Sequence, residues 1–389
     1  MIAASLLVVA VGMLLPYIAA AFPHDRAHLS MLVTALLLGG ALTNAVSGIA
    51  TDRFGDKRVL IVCGAIMGAS LLASAAVPSF AWVAVWFVVY GMGFAAINPV
   101  GSHAVLFFFK PEERGLAMGV RQMGMPLGGV AGAIVISTAA AYFGYRGALL
   151  VTGVLVLAVT LGSAALYREP SQLHGEPVRA GILFEDMIAM ARRPRLLLIA
   201  AVCVILFAGQ VALMGFFPWT LVNEAHVSAG LAAMIFVIAQ FSAAAGRLAW
   251  GWASDRLFHG ARLMPLAITC VLTAIAAVAV ADVARLPLEA ITGIAVLLGF
   301  SAEGWFGLAI VALAEVGGEE HAGAALGFAL TWVFIAGVVT PPVFQGIMSS
   351  AGIPAAWHIL AIFSFIGVIP AGAAIAFARR SAHPVTGAA

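Results

Sequence analysis

Gly48-Ile-Ala-Thr-Asp52-Arg53-Phe-Gly55-Asp-Lys57-Arg58 is a charged turn, punctuated by glycine, between two long apolar runs. It is the densest block of charge in the first hundred residues, with two acids and three bases. One such loop is an ordinary hairpin; a second copy at the same place in a second half is an organising feature. The chain carries that copy at Gly251-Trp-Ala-Ser254-Asp255-Arg256-Leu-Phe-His-Gly-Ala-Arg262. Both copies keep Gly-x-Ala-(Ser/Thr)-Asp-Arg, and both lie between the second and third apolar run of their half.

The apolar runs on either side set the solvent. Of 389 residues, 63% are hydrophobic and only 9% charged, against roughly 25% charged in a soluble domain. The chain is therefore a membrane protein. A formal charge of +2 with no clustered basic face argues against a nucleic-acid partner. Cys63, Cys203 and Cys270 each stand alone inside an apolar run, which indicates neither a disulfide framework nor a metal cluster. Residues 3-22 read as a first membrane span rather than a signal peptide, because no basic segment precedes them and no small-residue cleavage site leads into a soluble domain.

A helix needs roughly 20 apolar residues to cross the hydrocarbon. On that ruler about twelve spans are expected, at 3-22, 30-50, 58-78, 81-105, 114-140, 147-167, 195-217, 227-250, 262-281, 288-314, 322-347 and 354-378. The expected organisation is a six-helix bundle over 1-167, a cytoplasmic linker over 168-194, a second bundle over 195-380 and a tail over 381-389. The linker holds Pro170, Pro177, Pro194 and the bases Arg192 and Arg193, with Arg195 just beyond. Ile182, Leu183, Met187 and Met190 recur there at helical spacing, the pattern of a short helix on the membrane surface.

The halves are parallel repeats. Gly48 pairs with Gly251 (251 − 48 = 203), Gly93-Phe94 with Gly299-Phe300 (206), Gly115-x-Ala-x-Gly119 with Gly323-x-Ala-x-Gly327 (208) and Tyr145-Arg146 with Trp357-His358 (212). The opening loop resembles the signature of the major facilitator superfamily, Gly-x-x-x-Asp-Arg-x-Gly-x-(Lys/Arg)-(Lys/Arg). Gly48, Asp52, Arg53, Gly55, Lys57 and Arg58 fill every position of it, whereas the second copy keeps Gly251, Asp255 and Arg256 but loses the second glycine and displaces the basic pair. The resemblance implies an all-α integral membrane fold of twelve transmembrane helices in two parallel six-helix repeats, working by alternating access. It also implies that the two loops gate, with Asp52, Arg53 and Arg58 latching the cytoplasmic ends of the halves.

Lysine and arginine placement orients the chain. With the N-terminus cytoplasmic, fifteen bases fall on that side: Arg53, Lys57, Arg58, Lys110, Arg114, Arg168, Arg179, Arg192, Arg193, Arg195, Arg247, Arg256, Arg262, Arg379 and Arg380. Three, Arg26, Arg146 and Arg285, fall on the other. Both termini are expected inside a multi-pass protein of the cytoplasmic (inner) membrane.

Arg121 is the base left over. It lies seven residues into the fifth span, roughly 10 Å deep at 1.5 Å per residue, where a charge costs at least about 2.5 to 3.5 kcal/mol unless compensated. Ala117, Gly124 and Gly128 share its helical face, so that face meets protein or a cavity rather than lipid. A guanidinium reading an anionic substrate is expected; a structural pair with Glu303 or with helix-end carbonyls is the alternative. Glu303, mid-way along the tenth span beside Gly299 and Gly307, is tolerable there only neutral or paired, which suits a proton site. Its counterpart in the first half is Ile97, next to Asn98.

Gln122, Asn98, Gln210 and Gln240, with Tyr17, Tyr90, Asn44, Trp305 and Trp332, are further intramembrane residues able either to contact substrate or to bond and pack between helices. Pro126, Pro341 and Pro342 interrupt the fifth and eleventh spans among glycines, the mark of bendable helices around a central site. Gly119 to Gly129 loosely resembles the glycine-proline motif of drug/proton antiporters. It departs from it at Met125 and Arg121, and Phe87 stands where those antiporters commonly carry an arginine in the fourth span. The expected function is proton-coupled symport of a small organic anion, a carboxylate, by a monomer that needs no cofactor or metal, with Arg121 as anion ligand and Glu303 as proton site. Export of hydrophobic or cationic compounds by a drug/proton antiporter is the alternative. No nucleophile-base or metal-ligand constellation supports an enzyme.

Overall fold

The computed structural model describes residues 1–97, 100, 114–167, 190–317 and 322–382, and within these it leaves the side chains of 44–46, 48–53, 114–119 and a few others undescribed. Every regular element among the described residues is helical. In hydrocarbon a backbone N–H or C=O left unpaired costs several kcal/mol, so a chain this apolar closes its hydrogen bonds within helices.

The first half contains α1 (Ile2–Ala21), α2 (Ser30–Phe54), α3 (Asp56–Ala76), α4 (Phe80–Ala95) and α5 (Arg114–Leu166). The second contains α6 (Pro194–Gly215), α7 (Phe217–Asn223), α8 (Ala229–Arg256), α9 (Leu263–Ala281), α10 (Leu288–Leu298), α11 (Phe306–Gly317), α12 (Ala322–Ala351), α13 (Ile353–Ile366) and α14 (Val368–Ala382). Nine helical segments among the described residues are long and apolar enough to cross a bilayer, and Ser30–Thr43 and Phe80–Ala95 are shorter apolar helices. The expected surface helix of the linker and the tail beyond 382 lie outside the described residues.

The expected fifth and sixth spans are the two arms of α5, which breaks from helical geometry at Gly144 with φ 67° and ψ −175°. At 208 residues further on, Gly352, with φ 91° and ψ 164°, makes the corresponding turn between α12 and α13. A side chain at either φ would clash with its own backbone, so only glycine turns the chain there cheaply. The shared offset and shared backbone conformation are the repeat expressed in three dimensions.

The innermost helices are α1 and α6, each buried on nearly every face. The halves meet along α5 against α8 and α2 against α12, with α1 against α6 between those seams. Small residues permit the approach: a Cβ on Gly128 would stand 2.6 Å from the Ile2 carbonyl oxygen, and one on Gly132 only 2.2 Å from that of Leu6. The small-residue face carrying Gly124 and Gly128 therefore packs against α1, the protein-facing choice of the two that the sequence left open.

Candidate functional site

Between α10 and α11 the helix widens for one turn, Gly299–Glu303, into a π-helix. Such a turn inserts a residue and re-aims the side chains that follow, and it is common at functional positions. Two indoles secure it. Trp250 Nε1 donates to the Phe300 carbonyl at 3.0 Å and Trp305 Nε1 to that of Ala302 at 2.9 Å. Close packing does the rest, since a Cβ on Gly299 would stand 2.0 Å from the Ala239 carbonyl oxygen and one on Gly246 2.7 Å from that of Phe300.

The π-turn presents Glu303 to α8, where Arg247 Nη2 donates to its Oε1 at 3.2 Å, and the two side chains are 0% and 1% exposed. Arg247 Nη1 donates to the Gln122 main-chain carbonyl at 3.1 Å, so the same guanidinium reaches across the α5–α8 seam into the other half. Its Cζ lies 5.8 Å from the centre of the Phe306 ring. The Gln240 amide, two turns earlier on α8, stands beside the carboxylate without meeting hydrogen-bond geometry; Glu303 Oε2 and both ends of that amide are unsatisfied.

Against this pair lies a central cavity of about 50 Å³, walled by both halves. Gln122 and Phe306, which contact Arg247, line it, together with Gln210, Phe94, Phe207 and Phe334 among others. The Oε1 atoms of Gln122 and Gln210 are buried there with no hydrogen-bond partner. A space of this size holds a few waters, so the halves must part before an organic molecule enters.

The expected site residues fall in several different places. Arg247, counted above with the cytoplasmic loops although it falls inside the span 227-250, is buried, and the tally becomes 15 − 1 = 14 against three, its sense unchanged. Arg121 is not the partner of Glu303 and is not among the cavity's lining residues: Nη2 donates to the Ile97 carbonyl, two residues past the end of α4, 3.0 Å away, while its neighbour Gln122 lines the cavity. Trp332 is 49% exposed on an apolar perimeter groove with Ile335, Val339 and Phe363. Trp305 is spent on the π-turn, and Tyr90 is buried with its hydroxyl donating to the Ala4 carbonyl at 2.9 Å. Tyr17 lines clefts with Ser137, far along α5 from Arg121. Asn98 lies outside the described residues. Of the residues singled out in the sequence, Gln122 and Gln210 meet in the cavity, and Gln240 and Glu303 meet beside it.

Of the loop motif, Asp52 and Arg53 lie where side chains are not described; Lys57 is half-buried and Arg58 exposed. Gly55 has φ 83°, which accounts for its place in the motif. In the second copy Gly260, at φ 81°, makes the turn instead. Exposed Asp255 accepts from Arg262, which also donates to Ser254 Oγ at 3.0 Å and from Nε to Glu315 Oε1 at 3.1 Å, tying the end of α8 to α11. Arg256 is exposed. No group of three or more histidine, cysteine or acidic side chains able to hold a metal occurs among the described residues.

Comparison with known proteins places these features in a family. The sequence profile of the Major Facilitator Superfamily matches residues 1–341 and, overlapping, 199–388. An uncharacterized MFS-type transporter of Mycobacterium tuberculosis is 28% identical over 92% of this chain and 79% of its own length. A hexuronate transporter of Bacillus subtilis is 29% identical over 39% of this chain and 36% of its own. Among solved structures, the human organic anion transporter MFSD10 superposes with a TM-score of 0.70 at 16% identity, covering 95% of this chain and 97% of that one, a likeness of fold.

Proposed function

The chain belongs to the Major Facilitator Superfamily, and on that premise we propose that this transporter carries a small organic anion, a carboxylate, across the cytoplasmic membrane, with a proton bound and released at Glu303. The proposed frame is twelve crossings in two halves, 1-167 and 195-380, with both termini cytoplasmic and the protein monomeric. The loops at Asp52-Arg53 and Asp255-Arg256 act as cytoplasmic latches that break and re-form as access alternates.

One observation carries the reading: a fully buried Arg247–Glu303 pair directly behind the wall of a cavity that both halves build. A guanidinium is the side chain best shaped to grip a carboxylate, and here it already holds one. An arriving substrate carboxylate competes with Glu303 for the same donors. Two carboxylates on one cation would leave a net negative charge in hydrocarbon, so the exchange is favourable when Glu303 takes a proton as it lets go. Substrate and proton then raise each other's affinity, as linkage requires. The hexuronate transporter among the relatives, aligned over 39% of this chain, supports a carboxylate on the cargo but not the chemistry of the rest of its body. Arg121 is reassigned from anion ligand to anchoring the end of α4.

Uptake into proteoliposomes under an imposed inward proton gradient, with a panel of carboxylates and lipophilic cations, tests this. Accumulation of a carboxylate that collapses with the gradient is expected. Proton-driven extrusion of cations with no carboxylate uptake replaces this reading by the antiporter.

A further inference from the structure

We infer that the central cavity selects a monocarboxylate whose body is apolar and carries at most one polar substituent, and that it rejects polyhydroxylated sugar acids. The inference rests on the anion reading above and narrows its substrate class. Its basis is the inventory of the wall. Phe94, Phe207, Phe306 and Phe334 come to it from α4, α6, α11 and α12, with aliphatic side chains filling the spaces between them. Phe207 and Phe334 meet edge to face, their centroids 6.4 Å apart at 61°. Among the described residues the only polar side chains on this wall are Gln122 and Gln210, one from each half.

Those two amides are 6% and 1% exposed, and each leaves an oxygen without a partner. A buried polar group in that condition is set for a ligand or water, because leaving it unmatched is costly. Each amide both donates and accepts: its N–H groups suit a carboxylate, which only accepts, while the unpartnered oxygens need a donor and are matched by one hydroxyl further along the body or by water. The remaining wall offers no hydrogen bond. A sugar acid carries a hydroxyl on nearly every carbon, and most of these would be stripped of water against phenylalanine without a replacement partner. An unsubstituted ring or alkyl body loses nothing there and gains the aromatic surface. Ligand sites of this kind work with a mostly apolar wall and a few polar groups that fix orientation.

The test uses the full-length protein in nanodiscs, with benzoate, cyclohexanecarboxylate and glucuronate as probes of equal charge, read by ligand-induced thermal stabilisation and by counterflow. The first two should bind at least about tenfold more tightly than glucuronate, the scale on which a site discriminates mismatched polar groups. Phe334→Asn, on the wall and away from the ion pair, should narrow that gap. The double variant Arg247→Gln/Glu303→Gln removes the cation without leaving an unpaired buried charge, and it should lose binding of all three. Glucuronate binding as tightly as benzoate, with both lost in the double variant, overturns the selectivity while the anion reading stands. Binding that survives the double variant, or no carboxylate binding by the wild type, overturns the anion reading and the selectivity with it.

Discussion

Arg247 on α8 holds Glu303 on the π-turn at 3.2 Å and the Gln122 carbonyl on α5 at 3.1 Å, so one guanidinium ties the carboxylate of its own half to the backbone of the other. Breaking the first contact leaves two buried charges unpaired; breaking the second removes one hydrogen bond between the halves. A substrate that competes for this arginine acts on both. On the proposed reading, binding at the centre would reach the packing of α5 on α8 through this one side chain.

Arg247→Ala strands a carboxylate in the core. Removing one partner of a buried pair costs about 3–5 kcal/mol, so this variant should unfold at markedly lower temperature in detergent and should not transport. Arg247→Leu/Glu303→Leu removes both charges and should recover thermal stability while remaining inactive. Equal destabilisation of the single and double variants would show that the pair is not what the single variant lost.

Glu303→Gln keeps the shape of the protonated carboxyl. Substrate binding and counterflow should survive, and accumulation against a gradient driven only by protons should disappear. Concentrative uptake by this variant would move the proton site elsewhere.

Trp250→Phe keeps the ring and deletes the N–H that serves the Phe300 carbonyl. Losing one hydrogen bond costs about 0.5–1.5 kcal/mol, and the π-turn it secured aims Glu303. The variant should lower the unfolding temperature and displace the pH midpoint of transport. Trp252→Phe, at a residue 60% exposed, should leave both alone. A pH profile identical to wild type in Trp250→Phe would separate the indole from the carboxylate.

Gly299→Ala forces a methyl to 2.0 Å from the Ala239 carbonyl oxygen, whereas Gly293→Ala meets nothing within 4 Å. Overpacking costs about 1–3 kcal/mol, and the strain falls on the α8–π-turn contact. The first substitution should reduce folded yield and activity together, and the second neither. Matching thermal stability in the two variants would refute the close approach.

Arg121→Ala should be milder for substrate than Arg247→Ala. Its hydrogen bond to the Ile97 carbonyl, made by a charged donor, accounts for about 1.5–3 kcal/mol, so the expected loss is in stability. Anion affinity measured by thermal shift should remain. Loss of affinity in a folded Arg121→Ala protein would return this residue to the binding site.

Much of the molecule was determined by the sequence alone, because hydrocarbon leaves a chain few options. Apolar runs of bilayer length must become helices, and the recurrence of Gly48 to Arg58 at Gly251 to Arg262 announces two related halves. Gly144 and Gly352 turn their chains with the same left-handed φ because they occupy one position of that repeat. Gln122, Gln210, Gln240 and Glu303 stand out in the sequence as polar residues in apolar surroundings; the first two line one cavity and the other two lie beside each other. What tertiary structure decided was which cation stands beside Glu303. By depth in its span Arg121 is the better choice, while Arg247 stands three residues before the expected end of its own span, among the loop bases. One signal was available: the loop offset of 203 sets Arg247 opposite Asn44, another intramembrane polar residue. Helical periodicity gives the face a side chain occupies on its own helix, but not which neighbour that face meets. That depended on Gly246 and Gly299 letting α8 and the π-turn touch, and on the extra residue of the π-turn rotating Glu303 toward α8. Both are properties of two helices in contact, and neither helix carries them alone.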